Sequence, residues 1–330
     1  MLELVTRNLK EVITVEELKK VMEKDERKAY IGFEPSGFVH LGWLMCGEKV
    51  KDLVNAGFDV TILLADWHAW INDKLNGNMD AIRTCGEYIK DAFAAMGVKG
   101  VRYIYASDIV KDVNYWNLIL KIAKATSLAR VRRAMDIMGR KAGEAEKDFS
   151  KFIYPIMQVA DIFYLDVDAA LGGMDQRHAH MLARDFADKA KMKKPVALHT
   201  PIISSLKAKG RMDVAKMSKS KPGSAIFVHD EKEEIEHKIK KAYCPEGDPS
   251  NPVMEIAAYL LFPHFGSIEI NGKEYESYDT LEKDFVSKSL HPLDLKMGVA
   301  SYLNKMIEPI RDYFKQNPKN LDMLKNYMNK

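Results

Sequence analysis

Cysteine is scarce in this chain of 330 residues. Cys46, Cys85 and Cys244 are the only three, and no two form a Cys-x-x-Cys pair. That excludes a disulfide framework and argues against a cysteine-built zinc site, so a reducing, cytoplasmic setting is expected. Long apolar runs are missing too. Nothing approaches ~18 consecutive apolar residues, so no membrane-spanning helix is expected. The first residues mix charges and contain no apolar stretch of signal-peptide length. An excess of one charge is also absent. Fifty Lys and Arg face 47 Asp and Glu, a formal net charge of +3. A polyanionic partner would therefore require basic residues gathered on one surface. No internal repeat is visible. What is present is the balance of a globular protein, 47% hydrophobic and 29% charged. A chain of this length can bury a core without covalent staples and suggests about two domains.

The order of apolar patterns predicts an α/β protein. Thr14 and Glu17 have capping-box spacing ahead of Leu18, Val21 and Met22, which predicts a helix. Residues 29–33 form a short apolar run that ends in Glu34-Pro35-Ser36-Gly37, a turn cluster. Helical patterns at 40–56 and 79–96 alternate with strand-like runs at 58–65 and 101–105. This rhythm predicts a Rossmann-type parallel sheet covered by helices. A basic helical stretch at about 108–151 interrupts it and is expected to be an insertion. The pattern resumes with a helix near 155–163, a short strand near 165–168, a helix at about 175–191 and a strand at 196–204. Beyond residue 227 the chain is expected to be mostly helical. We therefore divide it into a sheet domain, 1–225, and a helical domain, 226–330.

Three segments carry chemistry. Gly32-Phe33-Glu34-Pro35-Ser36-Gly37-Phe38-Val39-His40-Leu41-Gly42-Trp43 joins a strand to a helix. Unpaired N–H groups and the dipole at a helix start favour phosphate, and small residues let a ligand approach the backbone. An ordinary strand–turn–helix would use the same glycines. Lys216-Met217-Ser218-Lys219-Ser220 sets two lysines in a loop flanked by Gly210 and Gly223. Lysine binds phosphate as a mobile point charge, although a solvated basic loop would look similar. Tyr154, Gln158 and Asp161 are spaced i, i+4, i+7 on an otherwise apolar helix. Polar groups on such a face are costly unless something pairs with them, and a polar ligand is one such partner.

His40-Leu41-Gly42-Trp43 followed by the 216–220 pentapeptide resembles the paired signatures of class I aminoacyl-tRNA synthetases. The segment Tyr-Pro-Ile-Met-Gln-Val-Ala-Asp-Ile at 154–162, with residues 29–37 upstream, is similar to tyrosyl-tRNA synthetases of the archaeal–eukaryotic type. So are residues 63–69, 172–177, 242–245 and 291–296, so the resemblance runs in order along essentially the whole chain. It implies activation of tyrosine by ATP, with Mg²⁺, and transfer of the aminoacyl group to tRNA(Tyr). It also implies a homodimer joined through the inserted helices, and no metal held by the protein alone.

By this resemblance Tyr30 and Asp161 would bind the phenolic OH. Tyr154, Gln158 and Gln176 would hold the α-amino group, and Leu63 and His68 would shape the pocket. Gly32, His40 and Gly42 would line the ATP site, while Lys216, Met217, Ser218, Lys219 and Ser220 would meet the phosphates. His40, Lys216 and Lys219 would carry catalysis. Arg133 and Arg177 would contact the acceptor stem, Asp294 the first anticodon base with His291 beside it, and Phe265 would be the stacking aromatic. The chain departs from the family at Trp43, where histidine is usual, and at Val110, where relatives often carry glutamine. The alternatives are a tryptophanyl-tRNA synthetase, a tRNA-binding paralogue without catalysis, and another nucleotidyl transferase on the same sheet.

Overall fold

The computed structural model describes residues 1–135, 148–208 and 223–329. The 216–220 pentapeptide and part of the basic stretch at 108–151 lie outside the described residues. A six-stranded sheet organises the first part of the chain. Its strands are β1 (Glu11–Ile13), β2 (Lys28–Phe33), β3 (Asp59–Leu64), β4 (Val101–Tyr105), β5 (Ala169–Gly173) and β6 (Val196–Thr200), in the spatial order β1-β6-β5-β2-β3-β4. All pairings are parallel except that of β1, which runs antiparallel to β6 at the edge.

Alternation along the strands sorts the core into two layers. Ala29, Ile31 and Phe33 join Val60, Ile62 and Leu64 on one face. Tyr30, Leu63 and Ala170 face the other way, against the helix Ser150–Tyr164 and the inserted helix Val113–Ala125. Gly32 pairs in register with Leu63, so both belong to that second face. From β2 the chain builds outward through β3 and β4, then returns to place β5 on the other side of β2. That reversal leaves a crevice at the carboxyl ends of β2 and β5, the usual ligand position in such sheets.

Several sequence expectations need correction. The helix expected from Pro155 begins at Ser150, so Pro155 lies in its second turn and not its first. Burial of Tyr154, Ile156 and Met157 on both sides holds the helix there despite the missing donor. The strand expected near 165–168 is instead a helix end and turn, with Asp166 at φ 49°, and β5 follows at Ala169–Gly173. Two alanines and two glycines have little intrinsic strand preference, and pairing on both sides imposes the conformation. The structure adds short elements beyond the sequence expectations, among them edge strand β1, the helix Asp66–Ile71, and a hairpin of β7 (Ile268–Ile270) and β8 (Lys273–Tyr275). Asn271 and Gly272 turn that hairpin with positive φ at both positions. After β6 the chain adds no further strand to the sheet among the described residues. The long helix Pro292–Gln316 packs on Lys232–Lys240, and Lys319–Met328 returns to pack on Met79–Ala95.

Candidate active site

The crevice is a cavity of about 580 Å³ whose walls come from the strand–turn–helix segment at 32–43, from β5 and from the helix Ser150–Tyr164. Tyr30, Leu63, His68, Tyr154, Gln158, Asp161 and Gln176 all line it, as do Gly32, His40, Gly42 and Trp43. Tyr154, Gln158 and Asp161 share one helix face, and that face looks into a cavity rather than into solvent.

Asp161 is 2% exposed, and a carboxylate so buried needs partners. Tyr115 donates its hydroxyl to Oδ1 at 2.7 Å, and His68 Nε2 stands 3.2 Å from Oδ2. Tyr154 packs edge-on against the His68 ring, with centroids 5.0 Å apart. Burial alone would push the His68 imidazolium down. The nearby Asp161 carboxylate outweighs it, and the pKa is raised. Neither ring nitrogen of His68 makes a hydrogen bond of good geometry among the described residues, so its approach to Asp161 is an ion-pair contact. Burial, and then the Asp161 charge, drives the Tyr30 phenol far above its ordinary pKa, so it stays protonated. A protonated phenol beside a carboxylate offers one donor and one acceptor where a ligand hydroxyl needs one of each.

On the same helix face Gln158 donates its amide to Gln176 Oε1 at 3.0 Å. Gly172 makes that contact possible. A Cβ there would stand 2.9 Å from Gln176 Cβ and 3.1 Å from His180 Cε1. Glu34 accepts from Asn72 Nδ2 at 2.9 Å and lies 3.7 Å from Lys74 Nζ at the cavity wall.

His40 caps the helix Leu41–Asn55. Its Nδ1 accepts from the Gly42 amide at 3.1 Å. That use of Nδ1 leaves the ring hydrogen of the neutral imidazole on Nε2, so capping and donation to a phosphate are compatible. Trp43 lines the cavity, with its ring 4.6 Å from Phe33 and 6.3 Å from His40 by centroid. It acts as a flat wall and brings no charge.

The residues expected to meet tRNA lie elsewhere than the cavity. Arg133 is exposed in the last turn of Leu128–Ala134. Arg177 Nε is held 2.9 Å from Glu11. His291 caps Pro292–Gln316 by accepting from Leu293 N, and Asp294 sits in that helix's first turn, 3.4 Å from Asn271 Nδ2. Phe265 packs edge-on against Tyr302 at 5.2 Å. The carbonyl of Val110 accepts from Trp116 Nε1 at 2.8 Å.

Sequence reasoning missed Tyr115. It sits 46 positions from Asp161 on a different helix, and no local pattern links the two.

Residues 22–308 match the family of class I tRNA synthetases for tryptophan and tyrosine. The tyrosine–tRNA ligase of Sulfurisphaera tokodaii is 50% identical, over 94% of this chain and 91% of that protein. The tyrosyl-tRNA synthetase structure from Aeropyrum pernix superposes with a TM-score of 0.92 at 49% identity, covering 100% of this chain and 98% of that one. The structure from Pyrococcus horikoshii, complexed with L-tyrosine, gives 0.91 at 39% identity over 98% of each chain. The chain therefore belongs to the class I tRNA synthetases for tryptophan and tyrosine, among the tyrosyl-tRNA synthetases of the archaeal type.

Proposed function

We infer that the chain is a tyrosine–tRNA ligase, which joins L-tyrosine to ATP as tyrosyl-adenylate and passes the tyrosyl group to the 3′ end of tRNA(Tyr). The observation that carries this reading is the pair of Tyr30 and Asp161 at the cavity's buried end, with Asp161 fixed by Tyr115 and His68. A phenol OH donates to Asp161 and accepts from Tyr30. An indole N–H is a donor only and leaves Tyr30 unmatched, which disfavours the tryptophan reading.

Tyr154, Gln158 and Gln176 hold the α-amino group, which aims the carboxylate at the α-phosphate of ATP. Gly32, Gly42, His40 and the start of Leu41–Asn55 receive the nucleotide. Lys216 and Lys219, with Met217, Ser218 and Ser220, close on the phosphates, so charge is stabilised as pyrophosphate leaves. Mg²⁺ enters with ATP, held mainly by phosphate oxygens and water, and neutralises phosphate charge. The oxygen-bearing Glu34 and Asp175 on the cavity wall suit a hard cation. Arg133 and Arg177 receive the acceptor stem, while the 226–330 domain reads the anticodon through Asp294 and His291. Val113, Trp116 and Leu120, exposed on one helix at i, i+3 and i+7, supply the homodimer contact. The enzyme works in the cytoplasm.

ATP–pyrophosphate exchange tests the reading. Tyrosine should support exchange and tryptophan should not. Exchange with tryptophan alone would overturn the specificity, and exchange with neither would favour the non-catalytic alternative.

A further inference from the structure

A row of side chains crosses the sheet edge beside the tyrosine pocket. Gly172 on β5 pairs in register with His199 on β6, and His199 pairs with Glu11 on β1. Residues in register share a face, so the three form one line. Helix Arg177–Ala190 lies over that line and brings down Arg177 and His180, three positions apart on one side of the helix.

The contacts form one continuous chain. Arg177 Nε donates to both Glu11 oxygens, at 3.1 and 2.9 Å. Glu11 Oε2 is 2.8 Å from His199 Nδ1, and His199 Nε2 is 3.0 Å from His180 Nδ1. The two imidazoles stack at 5.1 Å and 17°. A carboxylate only accepts, so His199 must carry its hydrogen on Nδ1. Its Nε2 then accepts, and His180 must donate. Each partner thus dictates the next. His180 ends the chain under Gly172, where the missing Cβ also admits Gln176.

Burying two histidines, 1% and 0% exposed, in a place where apolar residues would pack is costly. Such a network rigidifies what it touches when every member is satisfied. The turn Met174–Gln176 packs on β6 and on the helix Arg177–Ala190, which carry the two histidines; it ends at Arg177 on the surface side and presents Gln176 to the cavity.

We propose that Glu11, His199 and His180 are positioning residues that couple occupancy of Arg177 by the tRNA acceptor end to tyrosine binding at Gln176. Phosphate or a base edge competes with Glu11 for the Arg177 guanidinium. Release of Glu11 frees the histidine pair, and Gln176 loses its fixed seat. Tyrosine is then held less tightly while tRNA is bound, and by linkage tRNA is held less tightly while tyrosine is bound.

The inference rests on the tyrosine–tRNA ligase reading, and calorimetry separates the two. The Kd of L-tyrosine is measured for the full chain with and without a saturating tRNA(Tyr) transcript lacking its 3′-terminal adenosine. The transcript should weaken tyrosine binding by roughly fivefold or more. Glu11→Gln should weaken it without transcript and show less than about a twofold further effect when transcript is added. Glu11→Asp should restore part of the response. A loss of packing alone would not remove the transcript-dependent difference. Arg177→Ala, altered at the surface, makes the same comparison if Glu11→Gln fails to fold. An unaltered chain whose tyrosine affinity ignores the transcript, or variants that respond as it does, would overturn the coupling. Absent exchange activity with intact tyrosine binding would instead defeat the ligase reading and leave the coupling measurable.

Discussion

Tyr115 donates its hydroxyl to Asp161 Oδ1 across 2.7 Å, from a helix 46 positions earlier in the chain. Tyr115 is fully buried, and its hydroxyl also lies 3.3 Å from the Met157 carbonyl. The bond fixes one oxygen of the carboxylate so that the other faces His68 and the cavity. Tyr115→Phe leaves Asp161 short of a charge-assisted bond, an effect of about 1.5–3 kcal/mol. Tyrosine kcat/KM in the exchange assay should fall by roughly tenfold or more, and discrimination against phenylalanine should weaken. A Tyr115→Phe enzyme with wild-type discrimination would remove Tyr115 from the specificity apparatus.

Asp161→Asn keeps the shape and removes the charge. It should abolish tyrosine-dependent exchange while circular dichroism and the unfolding midpoint show a folded chain. A site whose polar groups require a hydroxyl rejects analogues lacking one, because its own donors and acceptors are left unpaired. The tyrosyl-tRNA synthetases are themselves the standing example of that effect. Wild-type-like exchange by Asp161→Asn would leave the pocket assignment without support.

Trp43 fills a family position usually held by histidine, and its ring packs against Phe33 and near His40. Aromatic pairs of this kind contribute about 0.5–1.5 kcal/mol beyond their burial. Trp43→Ala should therefore raise KM for ATP about fivefold and leave KM for tyrosine within about twofold. Equal change in both constants would mean that the indole supports the whole cavity rather than its nucleotide side.

His229 ties acid sensitivity to the signature segment. Val39 N–H donates to Tyr88 Oη at 3.2 Å, and Tyr88 in turn stands 3.3 Å from His229 Nδ1, which accepts only when unprotonated. Burial, followed by the charges of Lys325 and Lys238, pushes the His229 pKa down from 6.5 to about 3. The unfolded chain thus takes up a proton below about 6.5 that the folded chain refuses. The stability contribution is complete above that pH and is lost as pH falls toward 3, by up to about 1.4 kcal/mol per pH unit. Unfolding midpoints between pH 6.5 and 4 should fall less steeply for His229→Gln. An unchanged slope would assign the sensitivity to other groups, the buried His180 and His199 among them.

Much of the sheet and pocket is legible in the chain because local rules decide it. β3 and β4 are marked by β-branched, apolar runs, and the helix at 15–22 by Thr14 and Glu17, whose reciprocal capping bonds are both present. The polar stripe of Tyr154, Gln158 and Asp161 follows from helical period alone. β5 escapes such rules because Ala169-Ala170-Leu171-Gly172-Gly173 takes its conformation from β2 and β6 on either side. The hairpin at 268–275 carries a turn signal in Asn271-Gly272, but its three-residue strands are too short to show an alternating pattern.

The sequence by itself determined the fold class and the family, and its resemblance to that family supplied the candidate pocket residues. Periodicity, capping and linear motifs are local, and the motifs keep their order along the chain, so these conclusions need no knowledge of which distant segments touch. The tertiary structure alone decided who holds Asp161, why Gly172 has no side chain, and that Glu11, His199 and His180 form one line beside Gln176. Those relationships join β1, β5, β6 and four separate helices, Asp66–Ile71, Val113–Ala125, Ser150–Tyr164 and Arg177–Ala190. Distant segments meet only after the sheet has set its strand order, and no residue type announces its partner across that distance.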